Sequence, residues 1–335
     1  PPLPPLSMTF GGAGEDRALG VAVGPDGSIA VTGGFQGEVD LDPGPASDHH
    51  LSRGVVDGFV LRLADDGAAL WGRSFGGPGL DEGRDVAVGP EGQVAVVGTF
   101  QGTVDLDPGA GEVRRESSGD ADVLPHSRAP RRAYQWRARF GGGGAAQCDA
   151  LALTDEGAAI GAGRFQGEVD FDPGEGEVLR RSAGYDDAFV VALDAAGLRY
   201  ARTFGGAGLV QAYDVAACED GGVVVAGLFT GTADLDPGDG VESRSSGGRS
   251  DVFVVAMDRA GDTRWIRTFG GTGSDFGHGV ACGADGVVVV AGRFRGTVDL
   301  DPGLGAREHH AAGRSDGFVV ALSAEGALLL SLIHI

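Results

Sequence analysis

The sequence predicts an all-β chain assembled from five copies of one four-stranded unit. Three observations carry that prediction. The segment Asp-x-Asp-Pro-Gly begins at Asp40, Asp105, Asp170, Asp234 and Asp299, at steps of 64 or 65 residues. Phe-Gly-Gly begins at Phe10, Phe75, Phe140, Phe204 and Phe269 with the same steps. Between these anchors, short Val-rich runs alternate with Pro, Gly and Asp turn residues, and no helical apolar period occurs. Two anchors in register over five copies define a tandem array, which has to be read before any local motif.

Residues 1–9 read as a Pro-rich leader, or as the end of a preceding unit, and the array runs over 10–329. In the first unit Phe10-Gly11-Gly12 reads as a glycine loop, and Val21-Ala22-Val23 as a short strand. At Pro25-Asp26-Gly27, Pro presets φ and Gly supplies a positive φ, which makes a turn. Ile29–Phe35 is the second strand; Gly37 permits a kink before the aspartate segment, and a variable polar passage leads to Asp57. Phe59–Leu63 is the third strand, Asp65-Asp66-Gly67 a turn, and Leu70–Phe75 the fourth strand, which delivers the chain to the next Phe-Gly-Gly.

Later copies of the second strand are nearly pure Val (Val223-Val224-Val225, Val287-Val288-Val289-Val290), which suits a strand covered on both faces. In the fourth strand Trp71, Trp136, Tyr200 and Trp265 precede the anchor Phe by four residues. That spacing puts both rings on one face of a strand, and the pair reads as core packing rather than as a ligand platform. A four-stranded sheet with two apolar faces is buried by radial repetition, so each unit reads as one blade of a β-propeller, possible as an incomplete ring. Ser7–Phe10 offers a fourth strand for the last unit, which reads as lacking one after Leu329. One stretch breaks the pattern. Leu124–Arg132 stands where the other units place their third strand; Pro125 and Pro130 are unsuited to a central strand, so the second blade is expected to lack or badly form it. The tail Leu330–Ile335 resembles a translated transposon-end adapter and is set aside as non-native.

The full order is aromatic, Phe-Gly-Gly-x-Gly, Val-Ala-Val, x-Asp-Gly, apolar strand, Phe-x-Gly-x-Val-Asp-Leu-Asp-Pro-Gly, then Asp-x-Phe-Val. It resembles the bacterial β-propeller repeat family known as SBBP over about Phe10–Leu329. The resemblance implies a propeller module of a secreted or surface-attached bacterial protein, and implies no catalytic residue.

Composition bounds the functions. The formal charge is −22, which opposes nucleic acid and anionic lipid. All 26 basic residues are Arg, which reads first as the codon bias of a GC-rich genome and also suits a salt-loaded cytoplasm, and without Asn there is no N-glycosylation site. No run is long enough to span a bilayer as a helix, so the fragment is expected not to insert in membrane. Three cysteines, Cys148, Cys218 and Cys282, without close spacing argue against a disulfide framework or zinc site.

The strongest chemical candidate is the aspartate pair of each unit: Asp40 and Asp42, Asp105 and Asp107, Asp170 and Asp172, Asp234 and Asp236, Asp299 and Asp301. Alternate carboxylates on one side of an extended segment are hard oxygen ligands of the kind calcium takes. Asp-Pro-Gly is equally a plain turn, and calcium needs six to eight oxygens where two carboxylates are fixed. Asp48, Glu112, Glu175, Glu177 and Asp239 would have to add the rest. The glycine loops lack the following helix a phosphate site requires. The adjacent pairs His49-His50 and His309-His310 face opposite sides of a strand and do not chelate. Asp57, Asp122, Asp187, Asp251 and Asp316, which precede each third strand, read as turn caps.

The expectation is a non-enzymatic binding or scaffold module, extracellular or on the cell surface. Its protein or carbohydrate ligand would be held by variable passages such as Pro45–Val56 and Asp239–Ser250. The alternatives are a lyase or glycosidase using the central channel, which requires unlike polar residues breaking the repeat symmetry, and a calcium-stabilised adhesion-type propeller.

Overall fold

A computed structural model of the chain describes residues 7–105, 114–116, 122–123, 126–128, 136–137, 140, 143–174, 176–238, 240–303 and 305–333. It is all-β among these residues, and it divides into two compact units, Pro1–Cys148 and Asp149–Ile335.

Each repeat is an antiparallel meander of four strands. In the first these are Asp16–Val23, Ile29–Phe35, Asp57–Leu63 and Ala69–Phe75. In the fourth they are Val210–Ala217, Val223–Phe229, Asp251–Met257 and Thr263–Gly271. The meander follows from turn chemistry. Gly27 and Gly67 hold φ of 80° and 89° in the two hairpin turns, where a side chain is strained. The segment after the second strand is a ribbon rather than open loop: Glu38–Asp40 pairs with His49–Leu51, and Thr232–Asp234 with Ser243–Ser245.

The Phe-Gly-Gly anchor is not a loop. Gly11–Gly12 is a short strand paired with Val39 and Asp40, and at later anchors the fourth strand of one repeat runs straight on into the ribbon of the next. Two close approaches explain the glycines. A Cβ at Gly76, Gly205 or Gly270 would sit 2.3 Å from the carboxyl carbon of Asp57, Asp187 or Asp251. A Cβ on the second glycine would meet ribbon backbone, 1.9 Å from the Thr103 oxygen at Gly77 and 1.8 Å from the Thr297 oxygen at Gly271.

Neighbouring repeats pack face to face. In the first unit Ala30, Val60 and Trp71 of one repeat meet Val86, Val94 and Val96 of the next. In the second unit Val224, Val254 and Trp265 of the fourth repeat share a core with Val288, Val290, Phe318 and Val320 of the fifth. The aromatic and anchor Phe of the fourth strand lie in the same core in the third and fourth repeats, Tyr200 with Phe204 and Trp265 with Phe269, as their spacing requires. The Trp265 indole donates to the Ala324 carbonyl at 2.7 Å, tying the fourth strand to a turn of the next repeat.

One expectation is met and two are corrected. The third strand of the second repeat is badly formed, broken into two pieces: Asp122–Val123 and His126–Arg128 both pair with Val94–Phe100. Arg128 lies opposite Val94 as Leu63 lies opposite Ile29, because backbone pairing needs register and not an apolar side chain. The rest of Leu124–Arg132 lies outside the described residues. The fifth repeat owns its fourth strand, Leu328–Ile333, paired with Phe318–Leu322, while Met8 and Phe10 pack on the core of the first repeat. Finally, Cys218 and Cys282 form a disulfide with Cα atoms 5.3 Å apart, and Cys148 is buried. Their separation of 64 residues is the repeat step itself, so the packing of equivalent positions brings together cysteines that look distant in the chain.

Two buried carboxylates sit at the repeat junctions. Asp81 accepts from the Gly77 and Gln101 amides at 2.7 and 3.3 Å, and Asp275 from Gly271 and Arg295 at 2.8 and 3.2 Å. Burial, with Asp57 and Asp251 as like-charged neighbours, outweighs those bonds: Asp81 is pushed up to about 7 and Asp275 to about 6, from an ordinary 3.8. A folded-state carboxyl raised above its unfolded value favours the native state while protonated. Its contribution is lost as pH climbs from about 4 to about 7 and is flat beyond. Asp81→Asn, which keeps one of the two acceptor oxygens and removes the titration, is therefore expected to flatten the pH dependence of the melting temperature between 4 and 7. Thermal scans across that range check it.

Candidate functional site

The aspartate pairs were the leading candidates, and the structure uses them in the backbone. Asp40 Oδ1 accepts from the Asp42 and Asp48 amides at 3.0 and 2.8 Å. Asp170 repeats this with Asp172 and Val178, Asp234 with Asp236 and Glu242, and Asp299 with Asp301 and Arg307, the longest of these bonds being 3.1 Å. The second aspartate of each pair caps its own glycine: Asp42, Asp172, Asp236 and Asp301 accept from Gly44, Gly174, Gly238 and Gly303 at 2.7–3.0 Å. These bonds hold Asp40 below the usual carboxylate range. Asp105 pairs with Gly76 and with Arg53; Asp107, Glu112, Glu175 and Asp239 lie outside the described residues. Among the described residues no three carboxylate, imidazole or thiolate groups gather as a metal site. The turn accounts for the backbone contacts shown; Asp236 also accepts from the Thr263 hydroxyl at 2.7 Å.

The caps ahead of the third strands are also as read. Asp57, Asp187, Asp251 and Asp316 accept from the amides of Arg53, Ala183, Gly247 and Ala312 at 2.8–3.1 Å. Burial pushes the first three upward. The histidine pairs take unrelated partners: His49 lies 3.1 Å from Glu38 and His50 3.0 Å from Ser74, while His310 reaches Thr297 and His309 reaches Ser331.

The feature that sequence reasoning missed lies on the first strand of each repeat. Pairing with the second strand slips by one residue between Ala18 and Gly20, Gly83 and Asp85, Ala212 and Asp214, and Gly277 and Gly279. The residues skipped by the strand register are Leu19, Arg84, Tyr213 and His278, and by spacing Asp149 stands at the same place in the third repeat. A β-bulge re-aims the side chain it carries. Here the backbone device recurs while its residue is Leu, Arg, Asp, Tyr or His, so the row breaks the repeat symmetry. Lining up the repeats on Val-Ala-Val shows that variation, but not that the position is bulged.

In the second unit this row forms a connected surface. Tyr213 and His278 stack with centroids 5.5 Å apart, His278 and Phe276 at 5.7 Å, and the Arg293 guanidinium lies 4.3 Å above the Phe276 ring. Tyr213 donates to Gln211 at 2.8 Å, and Gln211 and Gln166 both donate to Asp186 at 2.5 Å. Arg164 lies 3.6 Å from Asp149. The bulge is pinned from below: Asp214 accepts from Val215 at 2.9 Å and from Val280 of the next repeat at 2.7 Å. Burial raises the Tyr213 hydroxyl, and burial with Arg293 lowers His278, so both rings are neutral at pH 7. The surface offers neutral aromatic rings, two guanidinium groups and carboxylates already engaged by amides or Arg. It suits holding a ligand better than transferring a proton.

No family model matches the chain. A stretch of 139 residues, 40% of this chain, is 32% identical to the regulatory protein FlaEY of Caulobacter vibrioides, and the match covers 15% of that protein.

Asp234→Ala removes the acceptor of two backbone amides and is expected to destabilise the second unit by about 1.5–3 kcal/mol, the range for hydrogen bonds to a charged group. Denaturant unfolding of the variant measures it. Millimolar calcium is expected to leave the melting temperature of the parent chain unchanged; a rise would revive the metal reading of the aspartate pairs.

Proposed function

We propose that the chain is a non-enzymatic binding or scaffold module, a β-propeller repeat array of the SBBP type in a secreted or surface-attached bacterial protein. In this reading its ligand sits against the bulge row of the second unit. The observation that carries the reading is the bulge itself: the same backbone irregularity presents a different side chain in each of the four repeats where it is shown. Packing alone gives no reason for that. Tyr, Phe and Arg are residue types that anchor protein interfaces, and Tyr213, Phe276 and Arg293 supply them together. A protein ligand therefore fits better than a carbohydrate. The disulfide between Cys218 and Cys282 supports an oxidising compartment outside the cytosol.

One observation favours a second reading. The unlike residues of the row are what a channel enzyme of lyase or glycosidase type needs. Such an enzyme pairs two carboxyls held in different protonation states. Asp149 is instead beside Arg164, and Asp186 is held by two glutamine amides, so the binding reading is preferred.

Selection of peptides from a displayed random library against the intact chain tests it. Peptides that bind are expected to lose at least about 10-fold in affinity with Tyr213→Ala or Arg293→Ala, the scale of a hot-spot truncation, and nothing with His49→Ala. Binders indifferent to Tyr213 and Arg293 would place the ligand elsewhere. Turnover of a polysaccharide by the parent chain, lost with Tyr213→Phe, would replace binding with catalysis.

A further inference from the structure

The turn between the first two strands carries a carboxylate at one position in the first, third and fourth repeats: Asp26, Glu156 and Asp220. Each of the three meets a guanidinium, but not from the same place. In the first repeat it comes from within. Arg62 lies on the third strand opposite Ala30 and is 4% exposed; it donates to Asp26 at 3.3 Å and to the Ser28 hydroxyl. A Cβ on Gly24 would meet both Arg62 and a methyl of Val88 at 3.0 Å, so this guanidinium sits at the junction with the second repeat. In the third repeat it also comes from across the junction: Arg259 of the fourth repeat lies 2.6 Å from Glu156, and Arg199 of the same repeat lies at 3.6 Å.

At the junction of the fourth and fifth repeats both of those positions hold alanine. Ala256 lies opposite Val224 as Arg62 lies opposite Ala30, and Ala324 stands where Arg259 stands one repeat earlier. Arg264, the counterpart of Arg199, reaches Asp220 at 2.5 Å. The two alanines line a cavity of about 290 Å³ between the fourth and fifth repeats. Val223, Val224, Val288 and Trp265 give it apolar walls, and Cys218 lines it beside the disulfide that ties the two repeats together. Three exposed carboxyls, Glu219, Asp220 and Asp285, also line it, against the one guanidinium of Arg264.

We infer that this cavity binds an alkylguanidinium, the group that Arg62 places at the same position of the first junction. The valine walls suit an alkyl stem, and the excess of carboxyls at the mouth suits the planar cation that binds carboxylates through paired N–H groups. The volume is near the roughly 300 Å³ at which small-ligand sites begin. The walls are fixed by the disulfide and the strand pairing, so little order is lost on binding. The inference rests on the comparison of junctions and is independent of the ligand assigned to the bulge row.

Isothermal titration of the full, oxidised chain with butylguanidinium tests it, with pentan-1-ol as a neutral probe of similar length. Butylguanidinium is expected to bind, about 2- to 5-fold tighter than pentan-1-ol, the scale of an ion pair with exposed carboxyls. Ala256→Arg supplies the group from within and Ala324→Arg supplies it across the junction, and each is expected to abolish the binding. Ala324 is exposed, so that variant is expected to keep the parent melting temperature and remains informative if Ala256→Arg does not fold. His49→Ala, in the other compact unit, is expected to bind as the parent does. A capped Gly-Arg-Gly peptide separates the sources of the cation: tighter binding than butylguanidinium assigns it to an arginine of a partner protein, weaker binding to a small solute. No heat with either cation overturns the inference. So does equal affinity for pentan-1-ol, or undiminished binding in a folded Ala324→Arg chain.

Discussion

A four-stranded antiparallel sheet with apolar residues on both faces cannot stand alone in water, and this constraint governs the rest of the chain. Each repeat is too short to fold back on itself, so a face is buried only when the next repeat covers it. Val60 of the first repeat against Val86 and Val94 of the second, and Val254 of the fourth against Val290 and Val320 of the fifth, are the same contact in two places. The Val-rich second strands follow, because they lie in the middle of a sandwich rather than on one side of it.

Face-to-face packing needs a fixed register between repeats, and the junction chemistry provides it. The fourth strand passes through Phe-Gly-Gly into the ribbon of its successor, and parallel bridges such as Ser250 to Ser274 add a second tie. The glycines are there because the Asp251 carboxyl and the ribbon backbone occupy the space a side chain would need. The buried aspartates Asp81 and Asp275 close the joint by holding amides that no strand satisfies, and their raised titration follows from the same burial. A rigid, repeated joint leaves the bulge position free to vary, so the first strand can carry Tyr213 in one repeat and His278 in the next without disturbing the core.

Much of this was legible in the sequence. The repeat step, the four strands, the hairpin turns at Gly27 and Gly67, the capping role of Asp57 and the shared face of Trp265 and Phe269 all come from local spacing and turn chemistry. What was not legible depends on which repeat touches which. The disulfide joins positions that only neighbouring strands bring together, and the cysteine count pointed away from it. The bulge is a slip of one residue in pairing, invisible in a segment that reads simply as Val-Ala-Val. The prolines near His126 pointed to a lost or badly formed strand, and the pairing shown there is broken into two short pieces held by the backbone groups that remain. The aspartate pairs gave the opposite lesson: their chemistry was suggestive and their contacts are those of a turn.

The central claim, that successive repeats pack with equivalent positions side by side, is tested most directly by peptide mapping of the unreduced chain by mass spectrometry. The account predicts one linked peptide pair joining Cys218 to Cys282, with Cys148 alkylated only after unfolding. Recovery of Cys218 and Cys282 as separate alkylated thiols from freshly purified, oxidised protein, or a link from either to Cys148, would contradict it.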